Sequence, residues 1–400
     1  METIPDGGIL SPGGFRAGAA RCGIKSAGGE PDVALLVADG PASAAGVFTT
    51  NRFAAAPVLW NRQLLPSARM RAAVVNSGNA NSCTGERGAA DVRAEAETLA
   101  QLLGCAPEHV CVSSTGIIGH PLPMEKLLPG IRAAHGALSA QREAARAAAR
   151  AIMTTDTRPK TAAVRSAIAR VQFCVGGMAK GAGMIAPHMA TMLAFVTTDA
   201  AVPPAVLQEL LREAADLTFN RITVDGDSST NDTILVLASG RSGARVTADG
   251  TGAPEFREAL QAVLGDLALQ VVRDGEGATK TIEVHVTGAT TPADAEKVAR
   301  AVAESQLVKC AICGGDPNWG RIVCAVGYSG AQVVPEHTAV QIGSVCVFDK
   351  GMPTGKDAAA EIQGDRVALR IELGLGAAEA TIWTCDLTEE YVRINARYHT

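Results

Sequence analysis

Apolar positions along this chain fall into two recurring patterns. Val33–Ala38, Ala72–Val75 and Cys111–Ser113 are short apolar or β-branched runs, which predict strands. Glu86–Leu103 carries small and apolar residues on one side and charges on the other, the period of an amphipathic helix. Ser139–Met153 predicts a second, Ala-rich helix, and a Gly-rich stretch, Gly176–Gly183, follows, ending at Pro187. Met192–Val196 is a continuous apolar run, as in a strand buried on both faces, and Thr233–Ala238 predicts another buried strand. Between them Ala205–Leu217 predicts a helix behind Pro203 and Pro204, which suit a first helical turn. Pro254–Val272 and Pro292–Leu307 read as amphipathic helices. Ile322–Val326, Ala339–Val347, Val367–Glu372 and Ala380–Cys385 read as strands. Strands and helices cluster without a regular βαβ repeat, an internal repeat or a low-complexity linker. The pattern is α/β or α+β with sheets covered by helices, and strand order stays open.

Composition narrows the function more than the fold. At 400 residues the chain is one large domain or two. It is 47% apolar, 19% charged and only 4% aromatic, with 42 glycines, which describes an Ala- and Gly-rich globular enzyme. A net charge of -5 and a pI of about 5.9 offer nothing to nucleic acid or to an anionic membrane. Met1–Arg16 lacks the basic and apolar regions of a secretory signal, and no apolar run is long enough to span a bilayer. Ten scattered cysteines then read as reduced thiols of a cytoplasmic protein. Cys310 and Cys313 form a CxxC, open to zinc or redox chemistry. No second pair stands at ligand spacing, and buried small hydrophobes are the simpler reading.

Candidate chemistry concentrates in six stretches. Lys180–Thr191, KGAGMIAPHMAT, sets two glycines and a proline just before a buried strand. Thr191 at that junction is either a β-branched strand residue or a nucleophile. A threonine hydroxyl needs a base. If the Ala190–Thr191 bond is broken, the freed α-amine, titrating near pH ~8, stands beside the hydroxyl and can take its proton. The same oxygen can make the cut by attacking the Ala190 carbonyl, giving an ester that water hydrolyses. Ser113–Gly119, SSTGIIG, offers a hydroxyl and a glycine N–H at a strand end, which is either a turn or an oxyanion hole. Asn76–Gly85, NSGNANSCTG, binds something polar or caps its own backbone. Asp225–Asp232, DGDSSTND, lacks the spacing of a calcium loop and reads as a loop brace. Asp316–Ile322, DPNWGRI, reads as a turn in which Trp319 and Arg321 stack or pair, and Asn395–Thr400 as a tail, frayed or closing a site.

Taken together, NSGNAN, SSTGIIG, MTTDT, KGAGMIAPHMATML, FNRITVDGDSSTND, DPNWGRI and NARYHT, in this order over nearly the whole length, resemble the ornithine acetyltransferase family, ArgJ, also called glutamate N-acetyltransferase. The resemblance implies an α+β fold of the αββα sandwich type, like N-terminal-nucleophile hydrolases. It implies self-cleavage between Ala190 and Thr191 into an α chain, 1–190, and a β chain, 191–400, assembled as α2β2. The implied reaction is ping-pong transfer of acetyl from N-acetyl-L-ornithine to L-glutamate through Thr191, with acetyl-CoA a further donor in some members. Thr115 and Gly116 take the oxyanion positions, and Thr154, Lys180, Thr191, Glu276, Asn395 and Thr400 the substrate contacts, with Thr155 beside Thr154 as its alternate. No metal and no cofactor is implied. Lys180 suits an α-carboxylate, and Glu276 a cationic amine. The cysteines of VKCAICGGDPNWGRI are outside the family pattern. A self-processing aminopeptidase or amidohydrolase is the alternative enzyme; a non-catalytic binding protein on the same scaffold is a third reading.

Overall fold

The computed structural model describes residues 1–25, 29–186 and 192–397. Among these, nine strands build a first sheet: β1 (Glu2–Thr3), β2 (Phe15–Ala20), β3 (Val33–Phe48), β4 (Ser67–Asn79), β5 (Val110–Ile117), β6 (Lys160–Ile168), β7 (Val171–Lys180), β8 (Leu193–Thr198) and β9 (Thr233–Ala238). Their order is β1-β6-β7-β8-β9-β3-β4-β5, with β2 paired to β3. The sixteen-residue β3 organises this sheet. Its first half pairs with β2 and β4; its second half, Ser43–Phe48, pairs with β9. The register shifts between Val37 and Ala42, so the sheet turns there and its halves face each other.

Side-chain alternation then makes four layers. Ala34 and Leu36 of β3, Ala73 and Val75 of β4, Leu193 and Phe195 of β8 and Leu235 and Leu237 of β9 share one inner core. The intervening residues face outward. Leu35 and Val74 pack on α2 (Gly85–Leu103) and α3 (Met124–Gly136), beside α1 (Ala56–Leu64). Val196 and Val236 pack on α5 (Pro204–Leu217) and α6 (Ala253–Arg273). The short α4 (Arg142–Ala151) closes the inner core with Ala145, Ala148 and Ala149. This is an α+β chain built as an αββα sandwich. The apolar runs at 192–196 and 234–238 belong to strands buried on both faces.

A second core follows along the chain. β10 (Thr281–Ala289), β11 (Ala339–Ile342), β12 (Val345–Asp349), β13 (Met352–Pro353), β14 (Arg366–Glu372) and β15 (Ala378–Cys385) form a sheet in the order β13-β12-β11-β14-β10-β15. One face packs on α7 (Pro292–Glu304), α8 (Gln306–Cys313) and α9 (Trp319–Tyr328). A last helix, α10 (Glu389–Arg397), follows β15.

Four readings need correction here. Ala339–Val347 is not one strand but the hairpin of β11 and β12, which turns at Gly343 and Ser344 and pairs antiparallel. Ile322–Val326 is helical: the Asn318 side chain accepts the Arg321 N–H at 3.1 Å, and Ile322, Ala325 and Val326 share one buried face. Its β-branched content suggested a strand, but packing at i, i+3 and i+4 outweighs propensity. Pro292–Leu307 is two helices, broken where Ser305 caps the second by accepting from Val308 at 3.3 Å. Cys310 is exposed and Cys313 half-buried on α8, so neither is a core hydrophobe.

One buried group predicts a pH effect. Glu95 on α2 is fully buried, and neither carboxyl oxygen has a hydrogen-bond partner among the described residues. Burial pushes its pKa well above the usual glutamate range, and the nearby Asp91 adds to the shift. The folded chain therefore keeps a proton that the unfolded chain gives up. Stability falls as pH rises from the ordinary glutamate value toward the raised one. Glu95→Gln removes that dependence, and we expect its melting temperature at pH 8 to exceed the parent's by roughly 2 °C. Parallel melting curves at pH 5 and pH 8 check it; an unchanged slope between them refutes it.

Candidate functional site

The polar stretches of the sequence meet at one end of the sandwich. Their cavity, about 130 Å³, is lined by Thr115 and Gly116 from the end of β5, Thr154 and Thr155 after α4, and Lys180 at the end of β7. Glu276 after α6 and Asn395 on α10 complete the predicted set, with Ala80, Ile118, Gly183, Met184, Ser229, Thr230 and Asn231 around it. Both Thr154 and its alternate Thr155 reach the cavity. Ala190, Thr191 and Thr400 lie outside the described residues. A larger cavity of about 460 Å³ lies between the N-terminal segment and α4 and holds none of the predicted residues.

Thr115 and Gly116 sit where parallel strands β4 and β5 lose register. Ser77 pairs with Thr115 and Gly78 with Gly116, and the ladder then shifts at Asn79. Gly116 has φ +135°, and a Cβ there would lie 2.3 Å from the Gly78 carbonyl carbon. Only glycine fits this approach. Thr115 is buried, and its hydroxyl has no partner among the described residues.

The neighbouring Asn76–Gly85 stretch, the end of β4 and the turn after it, mostly serves itself. Asn76 donates to the Asn79 carbonyl at 2.9 Å, and Asn81 to that of Gly88 at 3.0 Å. Of this stretch, Ala80 alone lines the cavity. Asn231 binds the walls together by donating to the carbonyls of Ala80 at 2.6 Å and Ser114 at 2.8 Å.

Lys180 is buried, and its ammonium has no hydrogen-bond or ion-pair partner among the described residues. Burial lowers its pKa, opposed by the charges of Asp156, Glu276 and Asp232, while Lys160 adds to the lowering. Opposite it, Glu276 is half-buried against Gly183, where a Cβ would lie 2.5 Å from the carboxyl carbon. Its N–H donates to Ala182 at 2.8 Å, and its carboxylate accepts from Asn395 at 2.7 Å. The cavity thus presents a cation, an anion and a free hydroxyl beside a glycine, a set suited to a zwitterionic amino acid.

The DGDSSTND segment does more than brace itself. Asp225 accepts the N–H groups of Met184 at 2.6 Å and Ile185 at 2.8 Å. Asp232 accepts that of Met192 at 3.0 Å. Two carboxylates of one loop therefore hold both flanks of residues 187–191. Burial raises the pKa of each, most strongly for Asp232. Tyr391 on α10 donates to Asp225 at 3.2 Å, bringing the C-terminal helix onto the same clamp. Asn231, Asp225 and Asp232 were missing from the predicted site. Their acidic and amide side chains stood out in the sequence, but nothing local says which backbone they grip.

Comparison with known proteins agrees over the full length. The ArgJ family matches residues 16–400. The arginine biosynthesis bifunctional protein ArgJ of Symbiobacterium thermophilum is 51% identical, with 100% of each chain covered. That of Geobacter sulfurreducens is 48% identical over 97% of this chain and 99% of the relative. Among solved structures, the arginine biosynthesis bifunctional protein of Bacillus halodurans is 47% identical, covering 51% of this chain and 98% of its own, with TM-score 0.49. Ornithine acetyltransferase from Mycobacterium tuberculosis, complexed with ornithine, is 45% identical over 46% of this chain and 97% of its own, with TM-score 0.44.

Proposed function

The chain belongs to the ArgJ family, and from that membership we propose that it is an acyltransferase of arginine biosynthesis moving acetyl from N-acetyl-L-ornithine to L-glutamate. The reading rests on one observation above others. Thr115, Gly116, Thr154, Lys180, Glu276 and Asn395, far apart in sequence, line a single small cavity. The Asp225 and Asp232 contacts add weight, because they grip the chain on either side of Thr191.

The chemistry begins with the chain itself. The Thr191 hydroxyl attacks the Ala190 carbonyl; the C–N bond breaks, an ester forms, and water hydrolyses it. Residues 1–190 and 191–400 become the α and β chains. The new α-amine takes the hydroxyl proton, and the oxygen attacks the acetyl carbonyl of N-acetylornithine. Negative charge on the carbonyl oxygen is met by the Thr115 hydroxyl and the Gly116 N–H. Ornithine leaves with the proton, and acetyl stays on Thr191. The glutamate amine then attacks this ester and regenerates the hydroxyl. Lys180 holds the α-carboxylate of each amino acid in turn. Glu276, oriented by Asn395, receives the cationic end, and Thr154 and Thr400 complete the contacts.

Acetyl-CoA serves as a second donor in this reading. No other cofactor is needed. The processed chains assemble as α2β2 in the cytoplasm. Intact-mass measurement tests the scheme: two fragments divided at Ala190–Thr191, with one acetyl adduct on the C-terminal piece after N-acetylornithine. Added glutamate removes the adduct as N-acetylglutamate. Free acetate released at the same rate without glutamate would instead identify a hydrolase.

A further inference from the structure

Bonded to the segments that line the cavity is a charge cluster to which the reaction scheme assigns no task. Lys160, at the start of β6, has no solvent exposure, yet it has a carboxylate on either side. Its ammonium donates to Asp156 at 2.6 Å and to Asp274 at 2.5 Å. Burying three ionised groups is costly unless their remaining hydrogen-bond capacity is used. Here it is used on the segments that carry the cavity's side chains. Asp156 accepts the Gly181 N–H at 2.7 Å, next to Lys180, and the Thr154 N–H at 3.0 Å. Asp274 accepts the Thr157 N–H at 3.1 Å and the Thr157 hydroxyl. Glu276 follows two residues after Asp274. One buried ammonium therefore ties together the three segments that deliver Thr154, Lys180 and Glu276.

We propose, on the reading of Lys180 as the carboxylate-binding group, that Asp156 is the positioning residue for Lys180 and that Lys160 is the fixed cation that holds Asp156 in place. Asp156 fixes the backbone beside Lys180 and supplies the negative field in which its ammonium sits. The field has several sources. Asp156, Glu276 and Asp232 favour the ammonium, Lys160 opposes it, and Lys25 lies close enough to feel Lys180 in return. Burial disfavours the charged form most of all, and Asp156 is the strongest influence opposing burial. Asp156 is itself buried but stays ionised: the Lys180 and Lys160 charges and the Gly181 N–H outweigh burial and bring its pKa down to about 2.

Without the Asp156 charge, Lys180 gives up its proton at lower pH, and carboxylate binding is lost there. Asp156→Asn should move the alkaline limb of kcat/KM for N-acetylornithine toward lower pH. On that limb the variant should be about tenfold or more below the parent, with KM carrying most of the change. Asp156→Glu keeps the charge and should keep the limb, while kcat/KM drops at every pH because Gly181 and Thr154 are displaced. The lysine 15N NMR titration of Lys180, assigned by its loss in Lys180→Arg, should shift as the limb does. That titration needs no turnover. If the parent transfers no acetyl but the titration moves, the functional reading fails and the role of Asp156 stands. A folded Asp156→Asn with the parent's limb and titration overturns the proposal. If that variant does not fold, Asp156→Glu decides: a limb displaced to lower pH despite the retained charge overturns the proposal equally.

Discussion

Thr191→Ala should yield one uncut chain of 400 residues that transfers no acetyl group. One hydroxyl is asked to do two jobs, cutting the Ala190–Thr191 bond and carrying acetyl, and alanine can do neither. The loss in kcat should be near the limit for removing a nucleophile, about 10⁶-fold. The fold should survive, because the contacts flanking the segment are made through the backbone of Met184, Ile185 and Met192. Asp225 grips Met184 and Ile185, and Asp232 grips Met192, all through backbone N–H groups. A denaturing gel, a melting curve and an acetyl-transfer assay on one preparation test all three statements. A Thr191→Ala protein that still matures into two fragments assigns the cut to another group. Thr191→Ser, which keeps a hydroxyl, should cleave and retain part of the activity.

The second large effect is expected at Gly116. Alanine there must place its Cβ 2.3 Å from the Gly78 carbonyl carbon and 2.5 Å from the Asn79 nitrogen, so backbone has to move. The φ of +135° excludes the side chain even without that contact. The displacement takes the Gly116 N–H away from the oxyanion, and kcat should fall about 10²–10³-fold with a smaller change in KM. Gly119 supplies the control. It also has positive φ, +87°, but nothing lies within 4 Å of the place a Cβ would take. Gly119→Ala should therefore cost roughly 1–2 kcal/mol of stability and little activity. Equal kcat losses in the two variants would remove Gly116 from the oxyanion hole.

Much of the scaffold is legible without coordinates, because it depends on local periodicity. The runs at 192–196 and 234–238 are apolar on consecutive residues since both faces of β8 and β9 meet a core. Glu86–Leu103 and Pro254–Val272 match α2 and α6 because one side of each helix is buried and the other is wet. Reading fails where two signals conflict. The apolar, β-branched sequence at 322–326 fits a strand by composition, and only the Asn318 cap and the second core make it a helix. Ser305 interrupts a continuous helical period by hydrogen bonding alone.

The candidate site divides in the same way. Lys180, Thr115, Gly116, Glu276 and Asn395 stand out by their motifs, and they meet in one cavity. Asp156, Asp225, Asp232 and Asn231 lie inside the same motifs, yet their partners are 25, 41, 40 and 151 residues away. A carboxylate in a sequence carries no mark of the N–H group it will accept.

By itself, then, the order of residues determined many of the helices and strands, the αββα class through resemblance, and the chemical types gathered for the reaction. Only the tertiary structure decided which groups meet. The turn in β3 folds one sheet over on itself, and the ends of β5 and β7 arrive at one cavity. Periodicity records which face of an element avoids water. It does not record which distant polar group is left beside it once water has gone, and that pairing shifts the proton affinity of Asp156 and Lys180.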